Sequence, residues 1–370
     1  MSFIPETIYI ESGAEDYFLT QNLLQRFPDA PVVRNAVAEE VADAIKQNSQ
    51  DWFGASKRHL FLSRFKGRFL KKCPGLSPGM VCCNYLVVNL LKNCMYDCSY
   101  CFLQDFLRNN PLFVAFVNID DLLGELEEAF QSAPAGQEFR VGTGELTDSL
   151  ALDDILPYTS ELIPFFNRWK NATLELKTKS DCIENLLQQE DPTNVVVSWS
   201  LNPREIVDAE EKGTPSLEKK LESARLCQEK GYRIGIHFDP IILMPGWEKM
   251  YKDLIEEIFL NLSPKNIEWV SLGSFRYRSG LKQAIKERNP KTKLFSSEHL
   301  SGRDGKFRYL RPLRNHAYES IRSWVKDKDP DLNAYLCMET KEVWEGATGA
   351  LPKTDPNLEE LFSLTPRLQK

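Results

Sequence analysis

Along most of the chain, short apolar runs rich in β-branched residues alternate with stretches in which apolar positions recur every three or four residues. That alternation predicts serial strand and helix units. It is most regular from residue 138 onward: strands at 138–142, 173–177, 195–200, 232–238 and 267–272, separated by helices at 150–169, 181–189, 215–230, 247–262 and 279–288. Upstream, 85–91 (Tyr-Leu-Val-Val-Asn-Leu-Leu) has the length and branching of a buried strand. Next comes a helix with Asn118 as N-cap, Asp120 and Asp121 in its first turn, and Ile119, Leu122, Leu123, Leu126 and Phe130 on one face. A helix at 315–325 and a strand at 334–337 are expected to close or cap the sheet. Serial units of this kind build a parallel sheet with outer helices, closed or partly closed as a barrel, with chemistry at the C-terminal strand ends.

The first 80 residues read as a separate α/β extension, with strands at 8–10 and 59–65 and helices at 16–27 and 36–47. They end in the turn-rich Cys73-Pro74-Gly75-Leu76-Ser77-Pro78-Gly79. The expected organisation is an extension over 1–80, a core over 81–340 with a C-terminal cap, and a tail over 341–370. Hydrophobic and charged fractions of 42% and 27% exclude disordered and fibrous classes. No apolar run is long enough to span a bilayer. The first 20 residues carry neither a basic segment nor an apolar one, so the nine cysteines are expected as free or metal-bound thiols in a reducing cytoplasm.

The net charge of −7 argues against indiscriminate polyanion binding, yet its distribution is uneven. Residues 57–72 hold seven Lys/Arg and no acid, and residues 276–314 hold twelve against three acids. Folded onto one face, these stretches supply phosphate contacts; as solvated faces they do not.

The chemistry-bearing stretch is 93–102, in which Cys94, Cys98 and Cys101 form C-x3-C-x2-C. A four-iron cluster ordinarily takes four thiolates, so three leave one iron open to substrate or cofactor. The competing readings are one face of a helix or part of a zinc site, which normally pairs two half-sites or adds histidines. Polar residues follow at successive strand ends: Gly142-Thr143-Gly144-Glu145, then Lys177 and Lys179, Ser200 and Asn202, and His237 and Asp239. The glycines allow close backbone approach, Glu145 suits an ammonium group and the lysines a carboxylate. Each is also explicable as turn or surface chemistry.

These motifs together resemble the radical S-adenosylmethionine (SAM) superfamily and, from about residue 57 to 310, the spore photoproduct lyase family of DNA-repair enzymes. The resemblance is carried by 94–104, 139–149, 199–206, 213–224, 231–235, 240–242 with 246–248, and 289–294. It implies a partial (β/α)6 TIM-type barrel in which Cys94, Cys98 and Cys101 hold a [4Fe-4S] cluster whose open iron takes SAM. Tyr100 would lie against the cofactor, Gly144 and Glu145 would meet its ammonium, Lys179 its carboxylate, and Ser200 with Asn202 its ribose. A flavodoxin or ferredoxin would supply the electron that yields a 5′-deoxyadenosyl radical, and the substrate would be a thymine photolesion in DNA.

The sequence departs from the family at two positions. The cysteine that returns a hydrogen atom to the product aligns with Thr143, whose O–H is a much poorer donor than a thiol. Phe102 stands where family members can carry tyrosine. Either another thiol, from Cys337, Cys182 or the Cys82-Cys83 pair, supplies the hydrogen, or the reaction differs. The alternatives are a radical SAM enzyme acting on a peptide, a small molecule or a modified nucleotide, and a non-catalytic metal- or nucleic-acid-binding module.

Overall fold

The structure, a computed structural model, describes residues 3–352. Its main sheet has eight strands. Seven run parallel in the order Leu86–Val87, Phe139–Gly142, Ala172–Thr178, Val195–Ser200, Arg233–Ile241, Ile267–Ser274 and Asn333–Leu336, and Lys71–Lys72 adds an antiparallel edge. The expected parallel barrel sheet is present, and the last strand extends the six-unit pattern as the 334–337 run suggested.

Alternation along the strands explains the curl. Leu174, Leu176, Val195, Val197, Ile234 and Ile236 are fully buried apolar positions, interleaved with polar residues that share the other face. Those polar residues converge in the lumen. Glu175 pairs with Arg140 at 2.7 Å and also meets His237 at 2.8 Å and Ser198 at 2.6 Å. The Arg140 guanidinium lies 4.0 Å over the Trp269 ring and donates to Tyr335 Oη at 2.9 Å, joining the second strand to the last across the lumen. A Cβ at Gly142 would sit 1.5 Å from Tyr85 Oη, and one at Gly235 would sit 2.1 Å from Ser198 Oγ. Both glycines therefore make room for the floor of the barrel.

The N-terminal sheet is also largely parallel, ordered Val32–Arg34, Thr7–Ile10, His59–Ser63 and Val114–Phe116, with Leu91–Lys92 antiparallel at its edge. Two of its strands thus come from beyond the turn at 73–79. The run expected as one strand over 85–91 is divided: residues 86–87 lie in the barrel and 91–92 in the N-terminal sheet. Consequently the cysteine segment leaves and re-enters through the N-terminal sheet.

Other differences are local. The helix expected over 150–169 forms only at Tyr158–Asn167, because the Asp148 carboxylate accepts the N–H groups of Leu150 and Ala151, both at 3.0 Å, and holds a turn there. Asn118 occupies the N-cap but caps no helix N–H: its side chain accepts the Phe65 N–H at 2.8 Å and donates to the Asp121 carboxylate at 2.7 Å. Residues 341–348, expected within a tail, form a helix that buries Val343, Trp344 and Ala347; the remainder of that tail, 353–370, lies outside the described residues. A three-stranded antiparallel wing of Arg276–Tyr277, Phe307–Tyr309 and His299–Ser301 was not legible in the pattern.

Burial would raise the Glu175 carboxyl, but Arg140 and His237 hold it well below the usual carboxylate range. Removing one member of such a buried pair strands the other charge, at a cost of about 3–5 kcal/mol. Glu175→Gln is expected to destabilise the fold by that amount in urea denaturation; a loss below about 1 kcal/mol, the scale of an exposed pair, would show that the floor does not hold the barrel together.

Candidate active site

The three cysteines sit in an irregular loop, not on a helix face. Asn93 has a positive φ of 76°, and its side chain accepts the Cys94 N–H at 2.8 Å while donating to Pro111 O at 2.6 Å, so the loop's two ends are tied together. Asp97–Cys98 forms a short antiparallel ladder with Glu211–Lys212, and a single helical turn, Leu103–Phe106, follows Cys101. Gln104 closes this turn, donating to Ser99 O at 2.7 Å.

Burial pushes the Cys94 thiol up to about 12 and raises those of Cys98 and Cys101. Cys98 feels both other sulfurs, so the three form one electrostatic group. Two cations face it: Lys57 acts on Cys94 and Cys101, and Lys179 on Cys98 and Cys101. Lys57 is itself buried, bonded to Tyr96 O and to Asp97 at 3.1 Å. Among the described residues no three His, Cys, Asp or Glu donors converge as a single-ion site. Thiolates spread over separate irons need no such convergence. Three soft donors, Cys98 buried and Cys94 and Cys101 half-buried, beside two lysines fit an anionic iron–sulfur cluster.

What holds this loop against the barrel is a pair of adjacent buried acids, Glu210 and Glu211, at the end of helix Arg204–Glu210. Glu211 accepts the Tyr100 hydroxyl, Asn202 Nδ2 at 2.9 Å and Lys220 Nζ at 2.6 Å, and lies 4.0 Å from Lys179 Nζ. Burial alone would raise its carboxyl, but Lys179 and Lys220 hold it at about 2. Glu210 accepts from the Ser99 hydroxyl and, at 2.9 Å, from Thr292. Arg288 adds a further clamp, reaching Asp51 at 2.8 Å, Asp97 at 2.9 Å and Gln104 at 2.9 Å. Residues 289–294 thereby gain a role as a buttress behind the cysteines. Sequence reasoning missed Glu210, Glu211 and Lys57. Acid pairs and basic runs ordinarily mark solvated faces, and only the apolar surroundings reveal these as internal.

The other strand-end residues lie around the same opening. A Cβ at Gly144 would approach Lys177 Cβ and O, each at 2.9 Å, so this glycine serves close packing of two strand ends. Glu145 accepts from Asn89 Nδ2 at 2.9 Å. Thr143 is buried and donates its hydroxyl to Ser149 at 2.7 Å. Lys179 stands 5.7 Å from the Tyr100 ring centroid. Ser200 and Asn202 are buried, and Asn202 Oδ1 accepts the Tyr251 hydroxyl at 2.9 Å, so most of its hydrogen-bonding capacity is taken. Lys177, Asp239 and Arg276 form a charged layer, with Asp239 3.9 Å from Lys177 and 3.1 Å from Arg276. His237 lies beneath them. Burial and Lys177 bring its imidazole down to about 4, so it is neutral at pH 7.

The two basic stretches are partly internal. Lys57 belongs to the cysteine site, Arg58 pairs with Glu6 at 2.9 Å, and Lys66 pairs with Glu11 at 2.9 Å. In the second stretch Arg276, Arg288, Arg308 and Arg314 pair with Asp239, Asp97, Asp304 and Glu339. Arg278, Lys291, Lys293, Arg303 and Arg311 stay exposed around the wing. Its aromatic residues pack together, with Tyr277 and Phe307 stacked 5.5 Å apart.

The family profile for spore photoproduct lyase matches residues 3–331. Spore photoproduct lyase of Geobacillus sp. (strain Y412MC61) is 25% identical over 335 residues, spanning 87% of this chain and 95% of that protein. The Bacillus subtilis (strain 168) enzyme is 24% identical over 336 residues, with the same coverage of 87% and 95%. A spore photoproduct lyase variant solved with bound AdoMet and dinucleoside spore photoproduct shares this fold, with a TM-score of 0.81 and 22% identity over 92% of this chain and 100% of that one. The chain belongs to the spore photoproduct lyase family of radical SAM enzymes.

Proposed function

We propose that Cys94, Cys98 and Cys101 hold a [4Fe-4S] cluster with SAM at its open iron, and that the enzyme repairs a thymine photolesion in DNA. The observation that carries this reading is the group of three thiols, faced by Lys57 and Lys179 and fixed to the strand ends through Glu210 and Glu211. When bound and reduced by a flavodoxin- or ferredoxin-class donor, the cluster and SAM supply a 5′-deoxyadenosyl radical. The chain's residues position and shield that chemistry. Glu145 keeps a carboxylate oxygen for the methionyl ammonium while Asn89 holds the other. Lys179, bracketed by Glu211 and the Tyr100 ring, is a rigid cation for the carboxylate, and Gly144 leaves backbone accessible between them. Ser200 and the remaining N–H of Asn202 face the ribose. The exposed cations of the wing contact phosphates, and its aromatic cluster offers a stacking surface to bases.

Incubation of the reconstituted enzyme with SAM, a reductant and a spore photoproduct dinucleotide is expected to restore thymidylyl-thymidine. SAM turnover with the lesion left intact would instead favour a peptide, small-molecule or modified-nucleotide substrate, consistent with the loss of the donor cysteine at Thr143.

The Glu211 anchor gives a second expectation. Glu211→Gln is expected to retain cluster iron but to lower SAM cleavage by roughly tenfold, because Lys179 and Tyr100 lose their common partner; unchanged cleavage would remove Glu211 from the account. Its carboxyl lies at about 2 in the fold against an ordinary 4.5, so its contribution is complete above 4.5 and lost as pH falls toward 2. The stability difference between wild type and Glu211→Gln should therefore be flat from about pH 6 to pH 8, and a slope across that window would contradict the assignment.

A further inference from the structure

The proposed function leaves a hydrogen atom without a source, because Thr143 follows the lumen-facing Gly142 by one position and its hydroxyl is turned to Ser149. The structure arranges several thiols around the barrel: Cys73, Cys82, Cys83 and Cys337 act on one another, and Cys182 stands apart. Cys182 is surrounded by Asp153, Asp154 and Glu184, away from the lumen group. Cys83 is hydrogen-bonded to Cys82 and lies by Arg140 and Glu175, in the floor. Cys73 accepts the Gly75 N–H at 3.3 Å and packs with Met338 around that glycine, in a turn outside the barrel strands, although its thiol also feels Cys83, Glu145 and Lys177.

Cys337 is placed differently. Its N–H donates to Leu272 O at 2.7 Å, so it continues the register of the last barrel strand. Being two residues beyond the lumen-facing Tyr335, it stands one layer above the floor, just as Lys177 stands above Glu175 and Asp239 above His237. The neighbours its thiol feels are Asp239, Arg276, Cys83 and Lys177, the residues of that charged mouth layer and the nearest floor thiol. Burial pushes this thiol up to about 12, so the S–H persists at neutral pH. The lumen below has its own sign of an absent ligand: His237, 5% exposed, has Nδ1 without a hydrogen-bond partner among the described residues. A buried unsatisfied nitrogen on the lumen face is costly unless a ligand or water meets it.

We propose that Cys337 is the hydrogen-atom donor, quenching a substrate carbon radical held in the barrel mouth. This rests on the radical-repair reading above. The new C–H bond forms as the Sγ–H bond breaks, leaving a thiyl radical on Cys337. Phe102, 46% exposed and without a hydroxyl, has no hydrogen atom to relay back toward the cofactor. The thiyl is therefore restored by one electron from the low-potential one-electron donor that also feeds SAM cleavage, with one proton from solvent. Each repair event then consumes one SAM and two electrons, giving methionine, 5′-deoxyadenosine and product.

The test uses the reconstituted full chain, spore photoproduct dinucleotide, SAM and dithionite in D2O, with product and 5′-deoxyadenosine both quantified. Wild type is expected to place a single solvent-derived deuterium in each thymidylyl-thymidine. Cys337→Ser and Cys337→Ala are expected to keep releasing 5′-deoxyadenosine, which certifies the fold and cluster, while labelled product per 5′-deoxyadenosine falls by about tenfold or more. Cys182→Ser should behave as wild type. Labelled product at the wild-type ratio from both Cys337 variants, or unlabelled product from wild type, overturns the donor assignment alone. A wild-type enzyme that releases 5′-deoxyadenosine but leaves the lesion intact overturns the repair reading, and the donor role with it.

Discussion

The buried carboxylate of Glu211 is the contact on which the site depends. Within one hydrogen-bonded group it joins Tyr100 of the cysteine loop, Asn202 at one barrel strand end and Lys220 on a covering helix, with Lys179 at another strand end 4.0 Å away. The loop itself belongs by its ends to the N-terminal sheet, so this group, with the short ladder between 97–98 and 211–212, the Glu210–Ser99 contact and the Arg288 clamp on Asp97 and Gln104, fixes the cysteines over the barrel. A lone carboxylate in such surroundings would be protonated. Two lysines keep it charged, and the charge in turn fixes both.

Below that group the lumen is layered by charge. Arg140, Glu175, His237 and Ser198 form a floor that ties strands together, whereas Lys177, Asp239 and Arg276 form a charged layer at the mouth. The same alternation that puts isoleucine and valine against the helices puts these polar residues inside, so one sequence period specifies both the core and the cavity. Floor and mouth differ in purpose. The floor holds the barrel, and under the proposed function the mouth would receive the substrate.

Much of this was legible in the chain. The alternating runs from residue 138 onward located the barrel strands to within three residues at each end, since their residues are buried on one face and patterned on the other, and the spacing of Cys94, Cys98 and Cys101 marked a loop whose three thiols the structure brings into one electrostatic group. Where the reading failed, long-range contacts had overridden local pattern. The 85–91 run looks like one strand but serves two sheets, and Asp148 diverts the start of a helix by capturing its N–H groups. Glu210, Glu211 and Lys57 were invisible because burial, which makes them functional, is a property of residues distant in sequence. Asn202 was legible as polar, but not that Tyr251 and Glu211 already use it.

Radical generation from SAM at the loop of Cys94, Cys98 and Cys101 is the proposed function on which every other role depends. Anaerobic reconstitution followed by reduction in the presence of SAM tests it most directly, with bound metal and released nucleoside measured together. The account predicts an iron–sulfur cluster on the Cys94, Cys98 and Cys101 loop and the appearance of 5′-deoxyadenosine. Bound zinc with intact SAM would contradict it.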